Sequence, residues 1–531
     1  MLTNEFLMVT SAICPDRTAI VFEGKRLSYM ELAERSNRLA NALQALGIQK
    51  GDRIATMQVN TNEIIEGYFA ASKLGAVFVP LNFRAKAEEL THMLNNSEAS
   101  VLIVGSRYFG LVNSFRKETP HVKHFIGLEG SAPGTQEYEK LLASSSADEL
   151  FPDSTDEDMT ILMYTAGTTG QPKGVMLTHN SFSSYVLNNV TPADPEVEEK
   201  NILTVPLYHI AGMQAVMAAV YGGRTLVIQR QFEPDDWLRL VEDERVNRAM
   251  MVPTMLKQLM EHPDFGKRDI SSLKVITYGA APMPLEVIKR AIELMPNTRF
   301  INAFGQTESA STITMLAPED HVIEGSPEER EKKLKRLASI GKPLSDVEIR
   351  IVDENGDEVP TGTVGEIVAS GPRVMKGYWK QDSATAQTIK GGWLFTGDLG
   401  YVDEEGYIFL AGRAKDVIKR GGELIACEEI EQVLMSHPAI DDAAVIGVPD
   451  NTWGETIRAV VVLKSGTKAA PDELTEFTRQ RLASYKKAES VIFVDELPRN
   501  PMGKVLKRVL REQVGAPGIA NGSAVTLTPA S

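Results

Sequence analysis

A twelve-residue segment, YTAGTTGQPKGV from Tyr164 to Val175, carries the strongest chemical signal in the sequence. It holds three glycines, three threonines and one lysine directly after an apolar run. Glycines let a backbone fold closely around an anion, amides and hydroxyls donate to phosphate oxygens, and a lysine adds positive charge. The spacing of a Walker P-loop is absent. The segment therefore predicts phosphate binding, although an ordinary polar turn would also account for its glycines.

The overall charge excludes two classes of partner. The chain has 531 residues, with 56 Lys and Arg against 71 Asp and Glu, and its net charge is −15. General binding to nucleic acid or to an anionic membrane needs a basic field, so an anionic ligand must be held by local donors in a pocket. We therefore predict no nucleic-acid partner.

Cysteine usage and the N-terminus bear on the compartment. The two cysteines, Cys14 and Cys427, are too far apart in sequence to suggest a metal-ligand cluster or a redox pair. The first twenty residues lack a basic region and a long apolar run, and no stretch approaches the ~18 apolar residues of a membrane span. These features predict a cytoplasmic protein with reduced thiols and no transmembrane segment.

The elements that must position the chemical groups begin with an alternating pattern. Over roughly the first 310 residues, apolar strand-like runs such as RIATMQV (53–59) and SVLIVG (100–105) alternate with helical segments. Ser28 and Glu31 form a capping box at the start of one such helix. Buried strands separated by helices predict an α/β fold with parallel, doubly wound sheets in two similar subdomains.

A different pattern follows in the second part of the chain. Turn signals between short alternating runs predict a small antiparallel β unit at about 338–410. Helix, strand, strand, helix, strand and helix follow over 425–513, which predicts a compact α+β domain. The charged run EEREKKLKR (328–336) indicates a solvated helix or loop face, with a binding patch as the other interpretation. The small, polar tail after residue 513 predicts disorder.

Six further segments accompany the phosphate segment along the chain. They are PLYHIAGM (206–213), TYGAAP (277–282), NAFGQTES (302–309), WLFTGDLG (393–400), GRAKDVIKRGGELI (412–425) and PRNPMGK (498–504). Together the seven resemble, in order, the motifs of the adenylate-forming superfamily, which includes acyl-CoA synthetases, stand-alone adenylation domains and firefly-type luciferases. The resemblance covers about residues 15–513.

The resemblance implies a division of the chain into domains. The two α/β subdomains and the β unit would form one large AMP-binding domain. A hinge would connect it to a small mobile domain, which takes one orientation for adenylation and another for thioester formation. The large domain, hinge, small domain and tail would occupy 1–412, 413–416, 417–513 and 514–531.

By the same resemblance, the NAFGQTES segment would bind the adenine and the α-phosphate of ATP. Asn302 would meet the adenine amino group, Phe304 would stack on the ring, and Thr307 would donate to the phosphate. Glu308 would help to hold Mg²⁺, which prefers carboxylate and phosphate oxygens. The other nucleotide contacts would come from Thr165, Gly167, Thr168, Thr169, Gly170, Lys173, Ala280, Gly305 and Lys419, with Thr168 also at the metal.

Asp398 and Arg413 would bind the ribose. An ionised carboxylate accepts only and can serve two hydroxyl donors, which suits Asp398 to this role. A turn-capping aspartate is the other interpretation. Lys504 would be catalytic together with Thr307 and Glu308, because its ammonium offsets the repulsion between the substrate carboxylate and the α-phosphate.

The acyl pocket would be formed by three of the matching segments. The resemblance implies a lining of His209, Met213, Tyr278, Gly279, Ala280 and Ala303. His209 is interpreted as lining the pocket, with a catalytic proton transfer as the alternative. Because these segments are mainly apolar and lack Lys and Arg, they predict an aromatic, alicyclic or medium-chain monocarboxylic acid rather than acetate or a dicarboxylate.

The hinge and the CoA channel would lie in the GRAKDVIKRGGELI segment. Lys415 would be the hinge residue, and Gly421 and Gly422 would let the pantetheine arm pass close to the backbone. Leu424 and the dipeptide Ala426-Cys427 replace the Asn and Ser-Pro common in the family, which leaves the details of the channel open. Nothing in the neighbouring sequence would activate Cys427 as a nucleophile.

The expected activity is that of an ATP-dependent carboxylic acid–CoA ligase. The carboxylate would attack the α-phosphorus of Mg·ATP to give an acyl-adenylate and pyrophosphate, and the CoA thiol would then release AMP. ATP and CoA would be co-substrates and Mg²⁺ the cofactor, in a monomer or homodimer. The alternatives are an adenylation enzyme that loads a carrier protein, a luciferase-like oxygenase and a non-catalytic nucleotide-binding relative.

Overall fold

The structure, a computed structural model, describes residues 1–165, 171–413, 416–420, 423–500 and 503–527, without the side chains of Glu423 and Leu424. Its helices are α1 (Thr3–Ile13), α2 (Tyr29–Ala45), α3 (Asn62–Lys73), α4 (Ala87–Ser97), α5 (Phe109–Phe115), α6 (Tyr138–Ala143), α7 (His179–Asn189), α8 (Ile210–Tyr221), α9 (Pro234–Glu244), α10 (Pro253–Glu261), α11 (Leu285–Leu294), α12 (Pro327–Arg336), α13 (Asp382–Thr388), α14 (Cys427–Met435), α15 (Pro471–Arg481) and α16 (Lys507–Val514). Within these ranges, no helix is both long and apolar enough to cross a membrane.

The strands of the large domain fall into three sheets. They are β1 (Thr18–Phe22), β2 (Lys25–Ser28), β3 (Arg53–Met57), β4 (Val77–Pro80), β5 (Val101–Gly105), β6 (His124–Leu128), β7 (Gln136–Glu137), β8 (Met159–Thr165), β9 (Lys173–Thr178), β10 (Lys200–Leu203), β11 (Thr225–Ile228), β12 (Arg248–Met251), β13 (Val275–Gly279), β14 (Arg299–Gln306), β15 (Ser311–Leu316), β16 (Lys342–Pro343), β17 (Glu348–Val352), β18 (Gly365–Ser370), β19 (Gly377–Tyr378), β20 (Ile389–Lys390), β21 (Trp393–Val402) and β22 (Ile408–Arg413).

The predicted capping box begins α2. Ser28 Oγ accepts from the backbone N–H of Glu31 at 3.1 Å, and the Glu31 carboxylate accepts from the Ser28 N–H at 2.7 Å. Two backbone donors that the first turn would leave unpaired are thereby satisfied. The apolar side chains at helical spacing, among them Leu32, Leu39 and Leu43, are fully buried.

The first two sheets confirm the predicted α/β class but are mixed rather than parallel throughout. The first has the order β19-β9-β8-β4-β3-β5-β6-β7, and the second has the order β16-β15-β14-β13-β12-β10-β11-β1-β2. In both, the central strands are parallel, while β9, β19, β2, β15 and β16 pair antiparallel with their neighbours. The connections β8–β9 and β14–β15 are shorter than the dozen or so residues that a parallel crossover needs, so these strands pair antiparallel.

The third sheet is the predicted antiparallel β unit. Its order is β17-β18-β21-β20, and β22 pairs with β21. All of its pairings are antiparallel. The charged run before it forms α12, where no side chain is buried, in agreement with the predicted solvated face.

The small domain has its own sheet and core. Its strands are β23 (Ile418–Arg420), β24 (Glu423–Ile425), β25 (Ile440–Asp450), β26 (Gly454–Leu463) and β27 (Ser490–Phe493). From α14 onward, the elements follow the predicted order of helix, strand, strand, helix, strand and helix. The start of the tail differs from the prediction: Ile519, Val525 and Leu527 pack against the small-domain core, so apolar burial orders this part. Residues 528–531 lie outside the described ranges.

Candidate active site

The two ends of the phosphate segment lie side by side on β8 and β9. Thr165 at the end of β8 is the register partner of Lys173 at the start of β9. The intervening segment therefore leaves and re-enters the sheet at one place. The Lys173 ammonium lies 4.9 Å from the centre of the Tyr378 ring, within the range of a cation–π contact. Four residues predicted here fall outside the described ranges, and their roles stay predictions: Gly167, Thr168, Thr169 and Gly170.

Strand β14 carries the predicted adenine and phosphate residues to the carboxyl end of the second sheet. The Asn302 amide donates to the Ser339 carbonyl at 3.2 Å. Phe304 packs, partly buried, against the hydrophobic cluster of the small β unit. A Cβ at Gly305 would overlap the Ser311 carbonyl, so only glycine allows β14 and β15 to approach this closely.

Three non-glycine residues with left-handed backbone surround this strand end. The φ angles are 66° at Ala280, 49° at Ala310 and 92° at Ser311. Left-handed conformations cost an L-residue roughly 1–2 kcal/mol. Strain of this kind concentrates at functional sites, where the surrounding structure maintains it. The strained positions bracket the predicted nucleotide contacts on β14 and on the 3₁₀ turn Thr307–Ser309.

Glu308 is held from two sides, at its side chain and at its backbone. The Tyr378 hydroxyl donates to Glu308 Oε1 at 2.9 Å. The Met375 N–H donates to the Glu308 carbonyl at 2.8 Å. The carboxylate is partly exposed on the turn that also carries Thr307. It is therefore both oriented and accessible, as a metal ligand must be.

A buried ion pair supports the hairpin behind Glu308. The Arg373 side chain is almost fully buried and pairs with Asp346, with 2.7 Å between Nε and Oδ2. Its guanidinium also donates to the Thr312 carbonyl on β15. Because Asp346 and Arg373 flank strands β17 and β18, these contacts join the small β unit to the second sheet.

Asp398 and Arg413, the predicted ribose residues, meet on neighbouring strands. They are register partners on β21 and β22, with 2.7 Å between Arg413 Nε and Asp398 Oδ1. Asp398 is only 6% exposed. Burial raises the pKa of Asp398 above its ordinary value, while the charges of Arg413 and Lys504 oppose that rise. The structure thus presents a mostly buried, oriented carboxylate.

Lys504 lies on a loop of the small domain that touches the large domain. Its backbone N–H donates to Asn500 Oδ1 at 2.9 Å, which shapes the loop. Gly503, the preceding residue, packs closely against Thr254 on α10 of the large domain. A Cβ at this glycine would lie 2.5 Å from Thr254 Oγ1. The Lys504 charge opposes the rise that burial produces in the pKa of Asp398. In this orientation the loop that carries Lys504 packs against the large domain.

Tyr278 departs from the predicted acyl pocket. It is fully buried in the core of the second sheet, where its hydroxyl shares a hydrogen bond of 2.9 Å with His321 Nε2. Side chains alternate along a strand, so Thr277 and Gly279 belong to the opposite face of β13. Gly279 is the register partner of Ala303. The face that carries these predicted pocket residues therefore presents Thr277 instead of Tyr278.

His209 precedes the first residue of α8 and lies beside Tyr208, with 4.4 Å between the ring centres. Burial, with a smaller effect from the charge of Arg84, lowers the pKa of His209 to about 3. The imidazole is therefore neutral near neutral pH and a weak base. This favours the lining role over proton transfer. Met213, one turn further on, is fully buried in the core.

The remaining predicted residues lie on or near the small domain. Lys419 is exposed on β23, and its N–H donates to the Glu455 carboxylate at 2.7 Å. Cys427 is buried, and burial raises the pKa of its thiol to about 12, which keeps it protonated and unreactive. The hinge and CoA-channel predictions fall outside the described ranges: Lys415, Gly421 and Gly422.

The side chains of the site include one carboxylate that suits the coordination of a nucleotide-bound Mg²⁺. In the described part of the chain, no group of three or more His, Cys, Asp or Glu side chains could hold a metal ion. A nucleotide-bound Mg²⁺ takes only one or two protein carboxylates, because phosphates and waters complete its shell. The single oriented carboxylate of Glu308 fits that requirement.

Sequence reasoning missed three residues that organise the site: Tyr378, Arg373 and Asp346. The segment Gly377-Tyr-Trp379 does carry a signal, since two aromatic residues follow a glycine in a polar stretch. The partner of Tyr378 lies 70 positions away, however, and no local pattern reveals such a contact.

Comparison with protein families accounts for both domains. Residues 9–379 match the family described as AMP-binding enzyme, which is well over half of the chain. Residues 429–504 match the AMP-binding enzyme C-terminal domain. The chain belongs to the AMP-binding, adenylate-forming superfamily.

Individual relatives place this AMP-binding enzyme among the acid–CoA ligases. It is 38% identical over 504 residues to feruloyl-CoA synthase of Amycolatopsis sp, covering 94% of this chain and 96% of the relative. It is 34% identical over 500 residues to the long-chain-fatty-acid–CoA ligase FadD13 of Mycobacterium tuberculosis strain H37Rv, covering 92% and 94%. The solved structure of a Mycobacterium tuberculosis fatty acyl CoA synthetase matches with a TM-score of 0.76 and 32% identity, over 97% and 99% of the two chains. The chain is thus an ATP-using enzyme of the AMP-forming acid–CoA ligase family.

Proposed function

We propose that this enzyme is an ATP-dependent carboxylic acid–CoA ligase that works through an acyl-adenylate and releases AMP and pyrophosphate. One observation carries the proposal: the small-domain loop that bears Lys504 packs against α10 of the large domain, where Gly503 faces Thr254, while Asp398 and Arg413 of the large domain form an ion pair. A ribose-binding carboxylate and a mobile ammonium are what the first half-reaction requires.

In the first step, a carboxylate oxygen of the acid attacks the α-phosphorus of ATP, and the bond to pyrophosphate breaks. Lys504 would stabilise the negative charge that gathers between the two anions. Thr307 would donate to an α-phosphate oxygen, and Lys173 would neutralise the outer phosphates. Mg²⁺, when bound, neutralises phosphate charge, and Glu308, with Thr168, would hold it.

In the second step, the CoA thiol attacks the acyl carbonyl, and the bond between the acyl carbon and the phosphate oxygen breaks to release AMP. In the orientation seen here, the Lys504 loop packs against α10 of the large domain, and we assign this orientation to the first step. We infer that the small domain turns about residues 413–416 between the steps, which opens the acyl carbonyl to CoA.

For the substrate, we propose an aromatic monocarboxylic acid with a polar ring substituent. Gln214 on α8 is 4% exposed, and both polar atoms of its amide lack a hydrogen-bond partner among the described residues. Leaving a buried amide unpaired is unfavourable, so a ligand hydroxyl or ether near it would gain affinity. The feruloyl-CoA synthase relative, whose name denotes an aromatic acid, supports the same class. Alicyclic and medium-chain acids remain the next candidates for this largely apolar region.

The first experiment is isotope exchange between pyrophosphate and ATP, followed by an assay of CoA-dependent AMP release. The acids should include hydroxycinnamates, benzoate, cyclohexanecarboxylate, hexanoate, acetate and malonate. We expect acid-dependent exchange, CoA thioester formation, and the highest kcat/KM for a hydroxylated aromatic acid. Exchange without thioester formation would indicate a carrier-loading enzyme, and no exchange with any acid would contradict ligase activity.

A matched pair of variants tests the substrate class. Gln214→Leu should lower kcat/KM for the hydroxylated aromatic acid about tenfold, because a hydrogen bond to a buried group is lost. The same variant should leave hexanoate turnover nearly unchanged. A similar loss with both acids would mean that Gln214 serves the fold and not the substrate.

A further inference from the structure

The segment around Tyr378 connects the two sheets that carry the phosphate-binding groups. Tyr378 pairs with Val175 on β9, and the Trp379 N–H donates to the Gly174 carbonyl at 2.8 Å. On the other side, the Met375 N–H donates to the carbonyl of Glu308, in the turn between β14 and β15 of the second sheet. Five consecutive residues therefore fix the separation between the start of β9 and the turn after β14.

The Tyr378 side chain makes two contacts between these two sheets. Its hydroxyl donates to Glu308 Oε1 at 2.9 Å, and the face of its ring lies 4.9 Å from Lys173 Nζ. The residue is 7% exposed, so its position is set by packing. One aromatic ring thus touches the anion and the cation that the proposed mechanism directs at the phosphates.

The hydrogen bond between the two side chains determines which oxygen of Glu308 stays accessible. The Tyr378 hydroxyl is the donor, because the oxygen of an ionised carboxylate can only accept. Since Oε1 accepts this bond, Oε2 is the oxygen that the carboxylate can present to a metal.

We propose that Tyr378 is a positioning residue that orients the Glu308 carboxylate for Mg²⁺ and sets its distance from Lys173. The inference rests on the proposed function of the site, because it assigns Glu308 to a nucleotide-bound metal. In this proposal, Tyr378 acts by positioning Glu308 and Lys173, and it does not contact the substrate.

The test is Tyr378→Phe, which removes the hydroxyl and keeps the ring over Lys173. We expect the Mg²⁺ concentration for half-maximal adenylation to rise roughly tenfold, since a hydrogen bond to a charged group is lost. Binding of Mn²⁺ to the enzyme with a non-hydrolysable ATP analogue, measured by electron paramagnetic resonance, should weaken by a similar factor. The affinity for AMP without metal should stay unchanged. Tyr378→Leu, which also removes the ring, should in addition weaken metal-free ATP binding about two- to fivefold.

A matched control is Tyr407→Phe. The Tyr407 hydroxyl donates to Asp320 Oδ1 at 2.7 Å, so this variant loses the same kind of bond at a position with no proposed role in the site. It should leave the Mg²⁺ and Mn²⁺ affinities at their wild-type values.

Two outcomes would overturn the role of Tyr378. One is an unchanged Mn²⁺ affinity in Tyr378→Phe. The other is a melting temperature that falls much further than that of Tyr407→Phe, together with weaker metal-free AMP binding, since the hydroxyl would then serve the fold. Failure of the proposed function differs from failure of the Tyr378 role. If the proposed function is wrong, the wild-type enzyme itself shows no acid-dependent pyrophosphate exchange. As a further check, adding Tyr378→Phe to Glu308→Gln should weaken Mn²⁺ binding no further than Glu308→Gln alone.

Discussion

An ion pair between Lys257 and Asp441 joins the large domain to the small domain. Lys257 lies on α10, and Asp441 lies on β25. Their charged atoms are 2.6 Å apart. Thr254, on the same helix, faces Gly503 of the Lys504 loop. Helix α10 is therefore a docking surface for the small domain in the orientation that we propose for adenylation, and Lys257→Ala should destabilise that orientation.

The size of the effect follows from exposure. The two side chains are 31% and 41% exposed, so water screens much of their attraction. Ion pairs of this kind contribute about 0.2–1 kcal/mol. An energy of that size changes the equilibrium constant between the two orientations by a factor of exp(ΔG/RT), which is about 1.4- to 5-fold. We expect Lys257→Ala to raise the ratio of the thioester-forming rate to the adenylation rate within that range.

The assay measures the half-reactions separately. Pyrophosphate–ATP exchange reports adenylation, and consumption of synthetic acyl-adenylate with CoA reports thioester formation. Lys267→Ala is the control, because Lys267 pairs with Asp264 of the same domain at 2.7 Å and crosses no domain boundary. The control should leave the ratio of rates unchanged. High salt should reduce the difference between Lys257→Ala and the wild type, since screening weakens the pair in the wild type and the variant has no pair to lose.

Three results would refute this reasoning. An unchanged ratio in Lys257→Ala would show that the pair does not favour one orientation. Equal loss of both activities would show a general effect on folding. A ratio that changes by a hundredfold would also contradict the argument, because a half-exposed pair cannot supply that much energy.

Three further predictions concern the site itself. Lys504→Ala should abolish adenylation and spare thioester formation from synthetic acyl-adenylate; comparable loss in both assays would contradict its role. AMP affinity, measured by calorimetry, should fall toward acidic pH in the wild type, because burial raises the pKa of Asp398 and its carboxylate must be ionised to accept from the ribose; Asp398→Asn should bind AMP weakly without that pH dependence. Arg373→Met should lower the free energy of unfolding by roughly 3–5 kcal/mol, because it leaves the mostly buried Asp346 carboxylate unpaired, and a loss below about 1 kcal/mol in a denaturant titration would argue against a structural pair.

Local signals predicted much of the fold because their causes are local. The capping box at Ser28 and Glu31 satisfies donors within one helical turn, so the start of α2 follows from four residues. The order of elements from α14 to α16 follows from hydrophobic periodicity and turns. The prediction of a disordered tail was wrong up to Leu527. The polar composition predicted disorder, but a few apolar side chains of this segment pack against the small-domain core.

The site was predictable only as a set of residue types. Asp398 and Arg413 come from separate motifs, and their pairing depends on the register between β21 and β22. Tyr278 shows the limit at a single position: a one-residue change of face along β13 decides whether a side chain enters the core. Which face meets the core is decided by packing against His321, 43 positions away.

By itself, the sequence determined the superfamily, the α/β class and the chemical groups available for adenylation, because these depend on residue types and spacing within short segments. Only the tertiary structure decided that Tyr378 orients Glu308, that Lys257 holds Asp441 across the domains, and that both large sheets are mixed. Such contacts join residues from 70 to 184 positions apart. Their formation depends on how whole elements pack, and packing is a property of the folded chain that no single segment encodes.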